Sequence, residues 1–184
     1  MSQRKPVLSL SNGNLDAQVV FVAEAPGRLG ADKFGIPLFG DQTGRNFDWL
    51  LSNAGLSRES IFITNAILCN PRKADGNNDS PAKSEIRNCS AYLKETLDII
   101  KPKYVVSLGK VALTALRILH PIEIELGKSV GQLFSWNGCK IFPLFHPGPR
   151  AFIWRSRVQQ AEDYRDLGRL LNESTYATGS QLSF

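Results

Sequence analysis

Four short apolar runs, each followed at once by a polar residue or a turn, constrain the fold of this chain more than any other feature. Residues 18–23 run into Glu24-Ala25-Pro26-Gly27, and residues 60–66 carry Asn65 near their end. Residues 104–109 finish at Gly109, and residues 139–145 lead into His146-Pro147-Gly148. Runs this short, rich in β-branched and aromatic residues, suit strands buried on both faces. The segments between them have helical spacing. Phe47, Leu50 and Leu51 form one stripe with Gly55 as a stop. After a Ser84 cap, Ile86, Cys89, Leu93, Leu97 and Ile100 form another. A helix opens at Gly109, and a last one is predicted over residues 156–171. Strands alternating with helices predict a three-layer α/β/α fold around a central, mostly parallel four-stranded sheet.

A sheet of that kind binds its ligands beyond the carboxyl ends of its strands. Glu24, Asn65 and His146 all fall at such ends, so three segments distant in sequence are expected at one end of one sheet.

With 184 residues, 42% of them hydrophobic, the chain suits one domain over 1–184, with 1–15 and 173–184 as irregular tails. It has no apolar run of about 18 residues and no h-region after its basic start, so no membrane span or secretory signal is expected, and the cytosol is the expected compartment. Three cysteines, an odd number, suggest reduced thiols. The net charge of +5 tilts toward a polyanionic partner. Arg150, Arg155 and Arg157 add a local basic patch close to His146.

Each candidate residue has a plain structural reading beside its chemical one. Glu24 could cap the following turn, or could orient or deprotonate a water. Asn65 could turn the chain, or could use its carboxamide donor and acceptor to read the edge of a base. His146, one of two histidines, could be an ordinary structural histidine, or, projecting from a strand end before two turn-formers, could serve chemistry. His120, beside Pro121 at a helix end, looks structural. Phe39, in a glycine-punctuated loop, is either a loop anchor or a stacking platform for a planar ligand.

Taken in order, these segments resemble the uracil-DNA glycosylase superfamily, in particular its thermophile-type, iron–sulfur family 4 branch. Residues 23–27 (AEAPG) resemble the first motif of that family, and residues 35–40 (GIPLFG) its second loop. Residues 62–65 (FITN), 108–112 (LGKVA) and 146–148 (HPG) follow in the family's order and approximate spacing. The resemblance spans about residues 18–170. It implies a monofunctional enzyme that flips uracil out of DNA and hydrolyses its glycosidic bond, leaving an abasic site for base excision repair.

The resemblance also implies roles. Glu24 and His146 would be catalytic, and Asn65, Phe39, Ala25 and Gly27 would hold the uracil. DNA would be bound by Gly148, Pro149, Arg150, Arg155 and Arg157, with Arg150 as the wedge that fills the space of the flipped base. The chain would act as a monomer on DNA containing uracil or another deaminated base. Rival substrates are hypoxanthine and xanthine, and a rival class is a DNA-binding member without catalysis.

Two departures from the family stand out. Leu38 occupies the slot of the stacking phenylalanine, with Phe39 one residue later. The iron–sulfur branch needs four cysteine ligands, two near the N-terminus. This chain has only Cys69 and Cys89 at comparable positions, with Cys139 on another strand, so no cofactor or metal is expected.

Overall fold

The computed structural model describes residues 5–179. Val19–Ala23 (β1), Phe62–Asn65 (β2), Tyr104–Leu108 (β3), Phe134–Trp136 (β4) and Cys139–Leu144 (β5) form one sheet in the order β2-β1-β3-β5-β4. The helices are Ala31–Phe34 (α1), Gln42–Asn53 (α2), Lys83–Ile100 (α3), Lys110–Leu119 (α4), Leu126–Ser129 (α5) and Arg157–Gly179 (α6). Strands β2, β1, β3 and β5 run parallel, as expected.

The fifth strand corrects the expected count of four. β4 has three residues and pairs antiparallel with β5. The turn between them is Asn137-Gly138, with φ of 43° and 78°. An Asn-Gly pair of positive φ is the usual two-residue hairpin connection. That dipeptide was the available signal, and the shortness of the strand hid it.

Alternation along each strand divides the core between the two sheet faces. Val20, Val22, Val105 and Ile141 pack with Ile86 and Leu93 of α3 and Leu113 and Leu116 of α4. Val19, Phe21, Val106 and Phe142 pack on the other face with Phe47 and Leu50 of α2 and Tyr164 and Leu167 of α6. Helices cover both faces, which gives the expected three layers.

Several boundaries moved for local reasons. α3 starts at Lys83, and its entry is secured by the Glu85 carboxylate, which accepts the Ala82 N–H at 2.8 Å. Ser84 therefore lies inside the helix and is not its cap. α6 begins at Arg157 and runs on to Gly179, through most of the tail expected to be irregular; residues 180–184 lie outside the described residues. The lead-in is irregular apart from a 3-10 turn at Leu10–Asn12, yet parts of it are built into the domain. Val7 donates to the Leu68 carbonyl and Asn14 to that of Ile61, both backbone bonds at the β2 edge. Asn12, 1% exposed, donates its side-chain amide to the Ile63 carbonyl at 2.7 Å.

α2 and α6 cross closely at Gly168, where an added Cβ would stand 2.2 Å from the Ala54 backbone oxygen. Ala normally favours a helix over Gly by about 1 kcal/mol. Here the clash with backbone reverses the sign, because overpacking typically costs about 1–3 kcal/mol. We expect Gly168→Ala to lower the urea midpoint; a raised midpoint would show that the two helices separate without penalty.

Candidate active site

Hydrogen bonds beyond the strand ends gather the site. Ala23 and Asn65 are register partners on β1 and β2. Past them, the Ala66 N–H donates to the Ala23 carbonyl at 2.8 Å, and the Ile67 N–H to the Glu24 carbonyl at 3.2 Å. Asn46 of α2, 4% exposed, donates to the Pro147 carbonyl at 2.9 Å and so fixes the turn after β5. Asn70, 1% exposed, donates to the Pro26 carbonyl at 2.5 Å and to Asn78 at 2.8 Å. Its place one residue past Cys69 gave no periodic signal, so sequence reasoning missed it.

These loops enclose a cleft of about 620 Å³. Glu24, Ala25, Gly27 and His146 line it together with Gly148, Pro149 and Arg150 and with Asn70, Asn78 and Ser80. Leu38, Asp41, Thr43 and Trp154 also line the cleft and were not anticipated.

His146 keeps part of its surface open to the cleft, while packed protein surrounds the rest. Burial disfavours the charged ring and lowers its pKa to about 4, overriding the opposite pull of the Asp41 carboxylate. The ring is therefore neutral at pH 7. Its Nδ1 accepts the Gly148 N–H at 3.1 Å. An accepting Nδ1 leaves the proton on Nε2, so the ring is a neutral hydrogen-bond donor of fixed tautomer. Gly148 lies so close that a Cβ would come within 2.9 Å of Nδ1.

Glu24 is half-buried, and burial raises its pKa above the ordinary 4.5. No basic partner among the described residues offsets that burial. Asn65, at the end of β2, is 2% exposed and does not itself line the cleft, and its Nδ2 finds no acceptor among the described residues. A buried amide donor without a partner costs about 1–3 kcal/mol, which a ligand carbonyl would return. His120 is structural, as expected. Its carbonyl accepts the Trp136 indole N–H at 3.0 Å, and its ring meets Trp136 edge-on.

Other expected site residues take different positions. Phe39 does not line the cleft; its ring meets Phe34 edge-on at 5.7 Å and lies near the Arg58 guanidinium. Its contacts are with its own loop and Arg58, and Leu38, at φ 50°, lines the cleft. Arg58 holds this strained turn by donating to the Pro37 carbonyl at 2.9 Å and to that of Leu38. Arg155 was expected to face DNA, but it is committed to Asp163 of α6 by two hydrogen bonds at 2.9 and 2.5 Å. The Gly148 N–H, expected to grip phosphate, is taken by His146. Arg150 is exposed on the cleft lip, and Arg157 is exposed with its guanidinium 4.1 Å from the Trp49 ring centre.

The arrangement defines a class of site. A neutral donor and a desolvated carboxylate facing one cleft at the carboxyl end of a parallel sheet, with an unpaired amide buried at a neighbouring strand end, suit a planar polar ring on which negative charge develops. Comparison with known proteins agrees. The family model of the uracil DNA glycosylase superfamily matches residues 10–168. A type-4 uracil-DNA glycosylase of Saccharolobus solfataricus is 34% identical over 166 residues, covering 87% of this chain and 74% of its own length. One from Thermotoga maritima is 34% identical, covering 82% and 73%. A type-5 uracil-DNA glycosylase of Pyrobaculum aerophilum is 30% identical, covering 74% and 64%. The chain belongs to the uracil-DNA glycosylase superfamily.

The iron–sulfur cluster that the resemblance to family 4 implies does not fit these residues. The chain has three cysteines, and such a cluster takes four thiolates. Cys139 starts β5, at the end of the sheet opposite the cleft, whereas Cys69 follows β2 and Cys89 lies within α3. No group of three or more His, Cys, Asp or Glu able to hold a metal occurs among the described residues. No helix among them is long and apolar enough to cross a membrane.

The buried His146 makes a pH test available. The unfolded ring protonates near its ordinary 6.5, while the folded ring holds off until about 4. Its contribution to stability is therefore intact above pH 6.5 and is lost as pH falls from 6.5 to 4. We expect urea midpoints of the wild-type protein to fall more steeply across that window than those of His146→Gln. Parallel curves would mean that the ring is not desolvated.

Proposed function

We propose that this chain is a monofunctional glycosylase that flips uracil out of DNA and hydrolyses its N-glycosidic bond. The observation that carries this reading is a neutral His146 of fixed tautomer facing the same cleft as the desolvated Glu24.

In this reading the base leaves the stack at a cost of a few kcal/mol and enters the cleft. The Asn65 Nδ2 donates to uracil O4, and its Oδ1 accepts from N3–H. Cytosine presents the reverse pattern and would leave both groups mismatched. Leu38 closes one face of the pocket. As the C1′–N1 bond breaks, its electrons leave with the base, and His146 Nε2–H donates to O2 of the uracil anion. One preorganised donor of this kind is worth about 3 kcal/mol. Glu24 positions a water whose oxygen bonds to C1′. It takes one proton from that water, and the uracil anion is finally protonated from solvent. Arg150 fills the space left by the base, and Arg157 lies near a phosphate. Arg155, paired with Asp163, braces the loop.

We expect His146→Ala to slow uracil release by about 10²–10³-fold, and Glu24→Gln by a comparable factor or more, while both still bind oligonucleotide. The assay compares uracil, hypoxanthine and xanthine oligonucleotides, single- and double-stranded, by alkaline cleavage at abasic sites. Faster release of either purine than of uracil would overturn the assignment of substrate. The acidic limb of kcat tests the division of roles. With Glu24 as the group that must be ionised, activity rises with pH through a midpoint above 4.5. A limb centred near 4 would assign it to His146.

A further inference from the structure

Two large apolar side chains stand in solvent on a segment that borders the cleft. Ile153 and Trp154 are each 80% exposed, at the end of the short 3-10 helix Pro149–Ile153 that follows His146-Pro147-Gly148. Trp154 also lines the cleft that holds Glu24 and His146. The other two tryptophans differ. Trp136 is 5% exposed, and Trp49 lies under the Arg157 guanidinium.

The segment that carries the pair is braced at both ends. At its start the Pro147 carbonyl is held by Asn46. At its end the Trp154 and Arg155 N–H groups both donate to the Ala151 carbonyl at 3.0 Å. The Arg155 side chain is clamped on Asp163, and Gln160 donates to the Arg155 carbonyl at 3.2 Å. A braced backbone fixes the point from which the indole projects, at the edge of the cleft it lines. Exposed aromatic surface held this way is suited to stacking, and its low entropy cost favours binding.

We propose that Trp154, supported by Ile153, is a stacking platform for the nucleobase next to the flipped one. It is a second base-binding subsite, separate from the pocket and from the wedge assigned to Arg150. The proposal rests on the reading of the cleft as a base pocket. Continuity with that cleft and the exposed cations Arg150 and Arg157 on the same segment point to a strand of nucleic acid as the occupant. Every base has a π-face, so such a platform holds the strand whatever the neighbouring sequence. It works without a complementary strand, and so supports excision from single-stranded DNA.

The test crosses the residue with the base it would touch. Uracil oligonucleotides are prepared intact and with a base-less tetrahydrofuran spacer on the 5′ or the 3′ side of the uracil. Stacking on one base is worth about 1–3 kcal/mol, roughly 5- to 150-fold. For the wild-type protein, the spacer on the platform side should raise KM about tenfold on single strands. Trp154→Ala should show that raised KM on the intact strand, with a smaller change in kcat and no further response to the spacer. Trp154→Phe should keep most of the wild-type behaviour. A Trp154→Ala KM within twofold of wild type, or an equal spacer penalty in both proteins, overturns the proposal.

If no oligonucleotide releases uracil, the base-pocket reading fails, and the platform is then judged by binding. Tryptophan emission should be quenched by a uracil-free single strand in the wild-type protein and not in Trp154→Ala; equal quenching in both refutes it.

Discussion

Backbone hydrogen bonds that continue past the ends of the parallel strands hold the loops of this protein together, and the site depends on them. The bonds from Ala66 to Ala23 and from Ile67 to Glu24 bring the loops after β1 and β2 edge to edge. Asn46 and Asn70 extend the same arrangement with side-chain amides, one to the turn after β5 and one to the turn after β1. Each donor belongs to a buried residue, so losing its acceptor leaves a costly unpaired group. The cleft is thus the meeting point of loops tied to one another by these bonds.

Within that frame the electrostatics are shaped by exclusion of water. Burial pushes the pKa of His146 down and that of Glu24 up, so both are biased toward their uncharged forms. For His146 this yields a neutral hydrogen-bond donor. For Glu24 it sets the pH range in which a carboxylate exists to act. The Gly148 N–H settles the tautomer of the ring, so one backbone group decides which nitrogen can face a ligand. The close approach at Gly148 makes the third residue of this turn as much a part of the histidine's environment as the pocket wall.

Much of this was legible in the sequence because strand ends in a parallel sheet are marked twice, by the end of an apolar run and by the polar residue after it. Glu24, Asn65 and His146 were placed at or just past strand ends that way, and the family motifs agreed in order. What was missed lacks such a mark. Asn70 and Asn46 act through buried side-chain bonds that leave no periodicity. Leu38 and Phe39 are adjacent apolar residues, and only the positive φ of Leu38 decides which one turns inward. Arg155 and Arg157 look alike in a basic run. The acidic residue that captures Arg155 lies a further two turns along α6, where its direction depends on packing. β4 was too short to show an alternating pattern, although its Asn137-Gly138 turn was in plain view.

The two borders of the sheet are guarded in different ways, and this bears on how the protein behaves when concentrated. On one side the last strand is only three residues long and carries Ser135 bonded to Lys140, leaving little ladder for a visiting strand. On the other, the segment from Val7 to Asn14 lies along β2 and occupies the carbonyls of Ile61, Ile63 and Leu68. An open border of apolar strand invites pairing with another chain and growth into aggregates. A stretch that looks like dispensable leader therefore covers one border of the sheet, and trimming it would leave the carbonyls of Ile61, Ile63 and Leu68 open to another strand.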